Sequence, residues 1–170
     1  DIVIKEVKNN KIIVVLSAMA GETNQLQTYL DDFASQYSLE SDLVLTSGEQ
    51  VTIGLLSAEL KNKGIKSIPL LGWQIPIITD NSHEKAKILY IDNKRIEKFF
   101  EKNDVIVLAG FQGISLDGEI TSLGRGGSDT TAVAIASSID AKRCDIYTDV
   151  DGVYTTDPNI DQNAKKISKM

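Results

Sequence analysis

One cysteine is all the chain has, so Cys144 has no intrachain disulfide partner and a cysteine-based metal cluster within one chain is excluded. In RCDIY it reads as a buried structural thiol rather than a reactive one. No apolar run approaches the ~20 residues that a membrane-spanning helix needs. The opening DIVIKEVKNNK carries charges throughout and lacks the apolar stretch of a signal peptide. The net charge of −6 is spread over mixed-sign segments, with no Lys/Arg stripe interleaved with aromatics, which argues against a nucleic-acid surface. Histidine and tryptophan occur once each. His83, in the polar DNSHEK, reads as an exposed loop residue rather than a catalytic base, and Trp73 as packing at a surface loop or subunit interface. With 42% hydrophobic and 25% charged residues, close to average usage, the expectation is a soluble, cytoplasmic protein with small-molecule partners.

The 170 residues suit one α/β unit. Apolar runs with strand character occupy Ile12–Leu16, Ile68–Leu71, Ile75–Ile78, Ile88–Ile91, Val105–Ala109 and Asp145–Thr148. Continuous rather than alternating β-branched runs imply strands covered on both faces. Helical patterns lie between them, at Gln25–Gln36, Gly48–Lys63, Asn93–Lys102 and Ser128–Ile139. Such alternation predicts an α/β fold with a mainly parallel sheet. The helix after Ser47 shows its limits: Ser47 can cap it, Glu49 sits in its first turn, and Gly64 follows the basic end KNK.

The densest glycine cluster, TSLGRGGSD at Thr121–Asp129, runs into the small-residue helix TTAVAIASSI. Glycines before a helix let backbone N–H groups approach an anion, and the helix N-terminus adds partial positive charge. Arg125 within the cluster offers a planar fork for a carboxylate, while Ser128 and Asp129 can cap the helix or contact a ligand. Neither a Walker A pattern nor a GxGxxG after a strand is present. Two further loops follow predicted strands: SAMAGETNQL at Ser17–Leu26 and GFQGIS at Gly110–Ser115. In parallel sheets, ligands bind beyond the carboxyl ends of the strands, so these loops can converge on one crevice. A third strand leads into TDVDGVYTTDPN, which by itself resembles ordinary turn chemistry.

Together SAMAGETNQL, TSGEQ, GFQGIS with TSLGRGGSD, and YTDVDGVYTTDP resemble the catalytic domain of the aspartate kinases, within the amino acid kinase family. The match stretches from Ser17 to Pro158. It implies a three-layer αβα sandwich around a mainly parallel sheet, binding L-aspartate and MgATP side by side at its carboxyl edge. It also implies transfer of the γ-phosphate of ATP to the aspartate side chain, the first step toward lysine, threonine, methionine and diaminopimelate. Carried over residue by residue, the aspartate site would include Ser17, Thr23, Glu49, Phe111, Arg125, Gly126, Gly127 and Ser128, with Arg125 and Asp129 taking part in catalysis. The nucleotide site would include Thr148, Asp149, Tyr154 and Asn159, with Mg²⁺ as cofactor.

Three departures accompany the resemblance. The family's KFGGTS-like strand is missing before Asp1, and the rest of the kinase domain and the regulatory ACT domains are missing after Met170. Residues 1–170 are therefore expected to form a catalytic domain incomplete at both ends, homo-oligomeric when full length. Asn159 stands where the family usually has Arg, which removes a charge from the phosphate site. Rival readings are another kinase of the same family or a non-catalytic ligand-binding subunit with the same fold.

Overall fold

The computed structural model describes residues 1–33, 39–148, 155 and 164–165. In chain order its elements are α1 (Ile2–Glu6), β1 (Ile12–Leu16), α2 (Glu22–Asp31), α3 (Leu39–Leu45), α4 (Ser47–Asn62), β2 (Ser67–Leu70), β3 (Ile77–Thr79), β4 (Ile88–Ile91), α5 (Asn93–Phe100), β5 (Val105–Ala109), β6 (Gln112–Ser115), β7 (Ile120–Ser122) and α6 (Gly127–Ser138).

Three parallel strands, ordered β1-β5-β2, form the first sheet, and the pairing of β1 with β5 ends at Leu16 opposite Ala109. All five residues of β5 are buried because both faces of this sheet are covered. Ile106 and Leu108 point to one side, where they join Leu70, Ile77, Ile96 of α5 and Ile135 of α6. Val105, Val107 and Ala109 point to the other, against Ile53 and Leu60 of α4, Val3 of α1 and Val7 at its C-cap. Helices thus cover both faces, and the architecture is α/β, as the strand and helix alternation predicts. Each such aliphatic side chain contributes roughly 1.5–3 kcal/mol by leaving water.

A second sheet, β4-β3-β6-β7, is mixed: β3 and β6 run parallel, while the β3–β4 and β6–β7 pairs are antiparallel. The β6–β7 hairpin occupies a stretch that reads as loop, because Gln112, Ser115, Thr121 and Ser122 are polar and yet buried. Hydrogen bonds explain their burial: Gln112 Nε2 donates to Thr46 O (3.2 Å) and the Thr79 and Thr121 hydroxyls meet at 2.6 Å.

Elsewhere the structure redraws several expected elements. Helix α3 was not expected, and α2 begins earlier than the apolar pattern indicates. Ser47 is the first residue of α4 rather than its cap, and its hydroxyl donates back to Val44 O (2.6 Å). The expected stop of α4 holds. Gly64 adopts φ +76, its N–H donates to Lys61 O (2.9 Å), and the N–H of Ile65 donates to Leu60 O (3.0 Å), closing the helix in a Schellman motif. Residues 145–148 form no strand: Ile146 and Tyr147 are exposed, and no described strand pairs with them. For the same reason Cys144 is exposed rather than buried. His83 is partly buried, held between two carboxylates, instead of lying free in a loop.

Candidate functional site

β1 and β5 end side by side at Leu16 and Ala109, so the loops that follow both start from the carboxyl edge of the parallel sheet, where ligands bind in such folds. After β1 the chain passes through Ser17, Ala18 and Gly21 (φ +82) into α2. The start of α4 presses on this loop: a Cβ on Gly48 would stand 2.8 Å from Ala18 Cβ, so only glycine permits the approach. The Thr52 hydroxyl pins the same loop by donating to Ser17 O (3.0 Å).

That approach brings Glu49 beneath the loop. Its residue is only 3% exposed. Oε1 accepts the Ala18 N–H at 3.0 Å, whereas the buried Oε2 has no partner among the described residues. Burial raises the pKa from 4.5 to about 6, although the backbone N–H groups of Ala18 and of Glu49 itself pull it down. The site thus holds a buried carboxylate with one oxygen whose hydrogen-bonding capacity is unused.

The second half of the site leaves β5. The Gly110 N–H donates to Leu16 O (2.9 Å), and a Cβ on Gly110 would collide with Ser128 Oγ at 2.7 Å, so the strand end and the start of α6 lie in contact. Phe111 takes a left-handed φ of +66, held by its N–H donating to Thr131 Oγ1 (3.1 Å) and its carbonyl accepting from Leu123 N (2.9 Å). Its ring lies close enough to Gly127 that a Cβ there would come within 2.7 Å of Cδ2.

Gly126, at φ +71, is the N-cap of α6, which has no side-chain cap. Neither Ser128 nor Asp129 therefore caps the helix; Asp129 is exposed in its first turn. The backbone N–H groups of Ser128 and Asp129 have no partner among the described residues, and the helix dipole favours an anion in front of them. Exposed Arg125 likewise has no ion pair or hydrogen bond among the described residues. Ser17 and Thr23 are exposed on the opposite loop and helix start.

The remaining candidates do not join this arrangement. Thr148 lies in the exposed irregular stretch after α6, and Asp149, Tyr154 and Asn159 fall outside the described residues. Among the described residues no group of three or more His, Cys, Asp or Glu side chains is placed to hold a metal ion unaided. No helix of the described residues is long and apolar enough to cross a membrane.

One supporting residue escaped the sequence reading. Asp42, fully buried in α3, accepts from the Ser122 hydroxyl (2.6 Å) and the Glu84 N–H (3.0 Å), so it braces the base of the glycine loop. Nothing in LESDLVL marks it, because its partners come from segments 42 and 80 residues away.

The family model for the amino acid kinase family matches residues 1–170. Relatives include an aspartokinase of Rickettsia felis, 50% identical over 167 residues and covering 96% of this chain and 42% of that protein. An aspartokinase of Geobacillus stearothermophilus is 47% identical over 170 residues, covering 99% of this chain and 42% of that protein. Among solved structures, the aspartate kinase from Synechocystis is similar with a TM-score of 0.72 and 38% identity, over 96% of this chain and 27% of that one. The fold is also that of E. coli aspartokinase III in complex with aspartate and ADP, with a TM-score of 0.77 and 24% identity over 98% of this chain and 48% of that one. The chain spans about two fifths of the length of the curated relatives it matches.

Proposed function

The chain belongs to the amino acid kinase family, and from that membership we propose that it is part of the catalytic unit of an aspartate kinase, transferring the γ-phosphate of ATP to the side-chain carboxylate of L-aspartate. The observation that carries the choice of acceptor is buried Glu49, held beneath the loop that leaves β1 with no partner for Oε2 among the described residues; Arg125, likewise without a described partner, lies in the glycine loop whose Gly127 packs on Phe111 just after β5. Aspartate brings one ammonium and two carboxylates, so it needs both an anion and a cation. Glu49 Oε2 suits the ammonium, and Arg125 suits a carboxylate through its planar fork. The sequence relatives named aspartokinase support the same reading.

The acceptor carboxylate, with an ordinary pKa of ~3.9, is ionised at neutral pH and needs no general base. The chemical difficulty is the approach of two anions. Arg125, the free N–H groups of Ser128 and Asp129, and the positive end of α6 would lower that repulsion and stabilise charge on the transferring group. Phe111, locked against Gly127, would exclude water from one wall of the site. Ser17 and Thr23 add hydroxyls at the other wall.

ATP would arrive with Mg²⁺, which takes one or two carboxylates plus phosphate oxygens and water rather than an all-protein cage. Asp129, exposed and without a partner among the described residues, beside the proposed phosphoryl position, fits that limited donor set. When bound, the ion would neutralise phosphate charge. The sequence motif further suggests Thr148, Asp149, Tyr154 and Asn159 as nucleotide contacts, and a homo-oligomer for the intact protein.

The test is ADP release by the intact protein supplied with MgATP and either aspartate or glutamate. Turnover should favour aspartate strongly. Equal or greater turnover on glutamate would assign the acceptor site to another member of the family, and no turnover on either would leave a ligand-binding subunit.

A further inference from the structure

His83 is a site residue that neither its composition nor its neighbours in sequence suggest. Its Nδ1 lies 2.7 Å from Asp42 Oδ2 and its Nε2 lies 3.3 Å from Glu119 Oε2, so the ring joins α3 to the turn between β6 and β7. Its side chain is 13% exposed, Asp42 is fully buried, and Glu119 is partly open to solvent. Asp42 gathers more than the histidine: both its oxygens accept from the Glu84 N–H, at 3.0 and 3.2 Å, and Oδ1 also accepts from Ser122.

Two of those partners are the supports of the glycine loop. Ser122 closes β7, two residues before Gly124, and its carbonyl accepts the Ala86 N–H at 2.8 Å. Glu84, held by Asp42 at a strained φ of +65, places its own carbonyl where a Cβ on Gly124 would meet it at 3.1 Å. The turn carrying His83 is thus the floor on which the Gly124–Gly127 loop rests. The same α3 leads through buried Thr46 into the first turn of α4 and Glu49. One cluster therefore reaches both halves of the proposed acceptor site.

We propose that His83 is a positioning residue for the reaction: bridging Asp42 and Glu119, it fixes the floor of the Gly124–Gly127 loop and so the placement of Arg125 against the acceptor carboxylate. This rests on the aspartate kinase reading. The charged groups facing the ring are Asp42 from α3 and Glu119 from the β6–β7 turn, with Glu84 and Lys85 beside it on its own turn. Burial disfavours its charge, but the hydrogen bonds to the two carboxylates and their charges outweigh it, so its pKa lies above the ordinary 6.5. The clamp is tightest with the ring protonated, because both nitrogens then donate.

In the intact protein, His83→Ala should raise KM for aspartate about ten- to a hundredfold with KM for ATP nearly unchanged, as expected for misplacement of one substrate's partner. Amide exchange across residues 122–128 should accelerate in the same variant. His83→Gln, which can still donate to Asp42, should recover most of the aspartate affinity. In the unsubstituted protein KM for aspartate should rise as pH passes upward through the histidine's raised pKa, and His83→Gln should remove that rise. Unchanged exchange across 122–128 in His83→Ala overturns the clamp. A lower Tm without a selective change in KM for aspartate overturns the positioning role. Should the unsubstituted protein use no aspartate at all, the proposed function falls instead, while the exchange measurement still decides the clamp.

Discussion

Glu49 reaches from the first turn of α4 to the backbone N–H of Ala18, 31 positions earlier, at 3.0 Å, and leaves its other oxygen buried without a partner among the described residues. A protein does not gain stability from such a group, because an unsatisfied buried oxygen costs about 1–3 kcal/mol. The arrangement makes sense if a ligand cation completes it.

The same group makes stability fall with pH in a definite window. Its folded pKa of about 6 exceeds the ordinary 4.5, so the native state holds the proton more tightly than the unfolded chain does. The contribution of Glu49 to stability is then greatest below pH 4.5 and declines as pH rises toward about 6, by an amount on the order of 2 kcal/mol. Unfolding of the ligand-free protein followed against pH should show this decline as the difference between the unsubstituted protein and Glu49→Gln, which lacks it.

Aspartate binding should also displace the proton from Glu49, since an ammonium beside a carboxylate favours its ionised form. Calorimetry near pH 6 in buffers of differing ionisation enthalpy should detect proton release. Glu49→Gln should abolish the release and weaken aspartate far more than ATP.

Changing Arg125 to Ala should cost about 2–5 kcal/mol in aspartate affinity or in kcat/KM for aspartate, because a desolvated carboxylate loses its charge partner. Nucleotide affinity should change little. Calorimetry showing unchanged aspartate affinity, together with an unchanged rate, would reduce the GRGGSD segment to a structural turn.

Gly127→Ala tests the wall of the site. The added methyl would lie 2.7 Å from Phe111 Cδ2, and Phe111 is tied at both its N–H and its carbonyl. Overpacking of this kind costs about 1–3 kcal/mol. Denaturant unfolding should show the loss, and KM for aspartate should rise as the ring shifts.

The parts of the fold legible in the sequence are those where one physical cause dominates. Ile12–Leu16 and Val105–Ala109 read directly as strands because sheet neighbours and helices make them apolar throughout. The glycine loop was legible because glycines flanking an arginine are hard to explain by a turn alone. The β6–β7 hairpin was not, since Gln112, Thr121 and Ser122 owe their burial to partners far along the chain. His83 misled for the same reason: its polar neighbours suggest exposure, yet Asp42, 41 positions earlier, folds over it. The nucleotide candidates Asp149, Tyr154 and Asn159 lie outside the described residues.

The central claim is that phosphate moves to the side-chain carboxylate of aspartate, and the most direct measurement traps that product. The intact protein should be supplied with MgATP, aspartate and hydroxylamine, and the hydroxamate formed should be identified by mass spectrometry and NMR. The account predicts the hydroxamate of the side-chain carboxyl group, formed in step with ADP and lost in Arg125→Ala. A hydroxamate on the α-carboxyl group, or ADP release with no aspartyl hydroxamate, would contradict it.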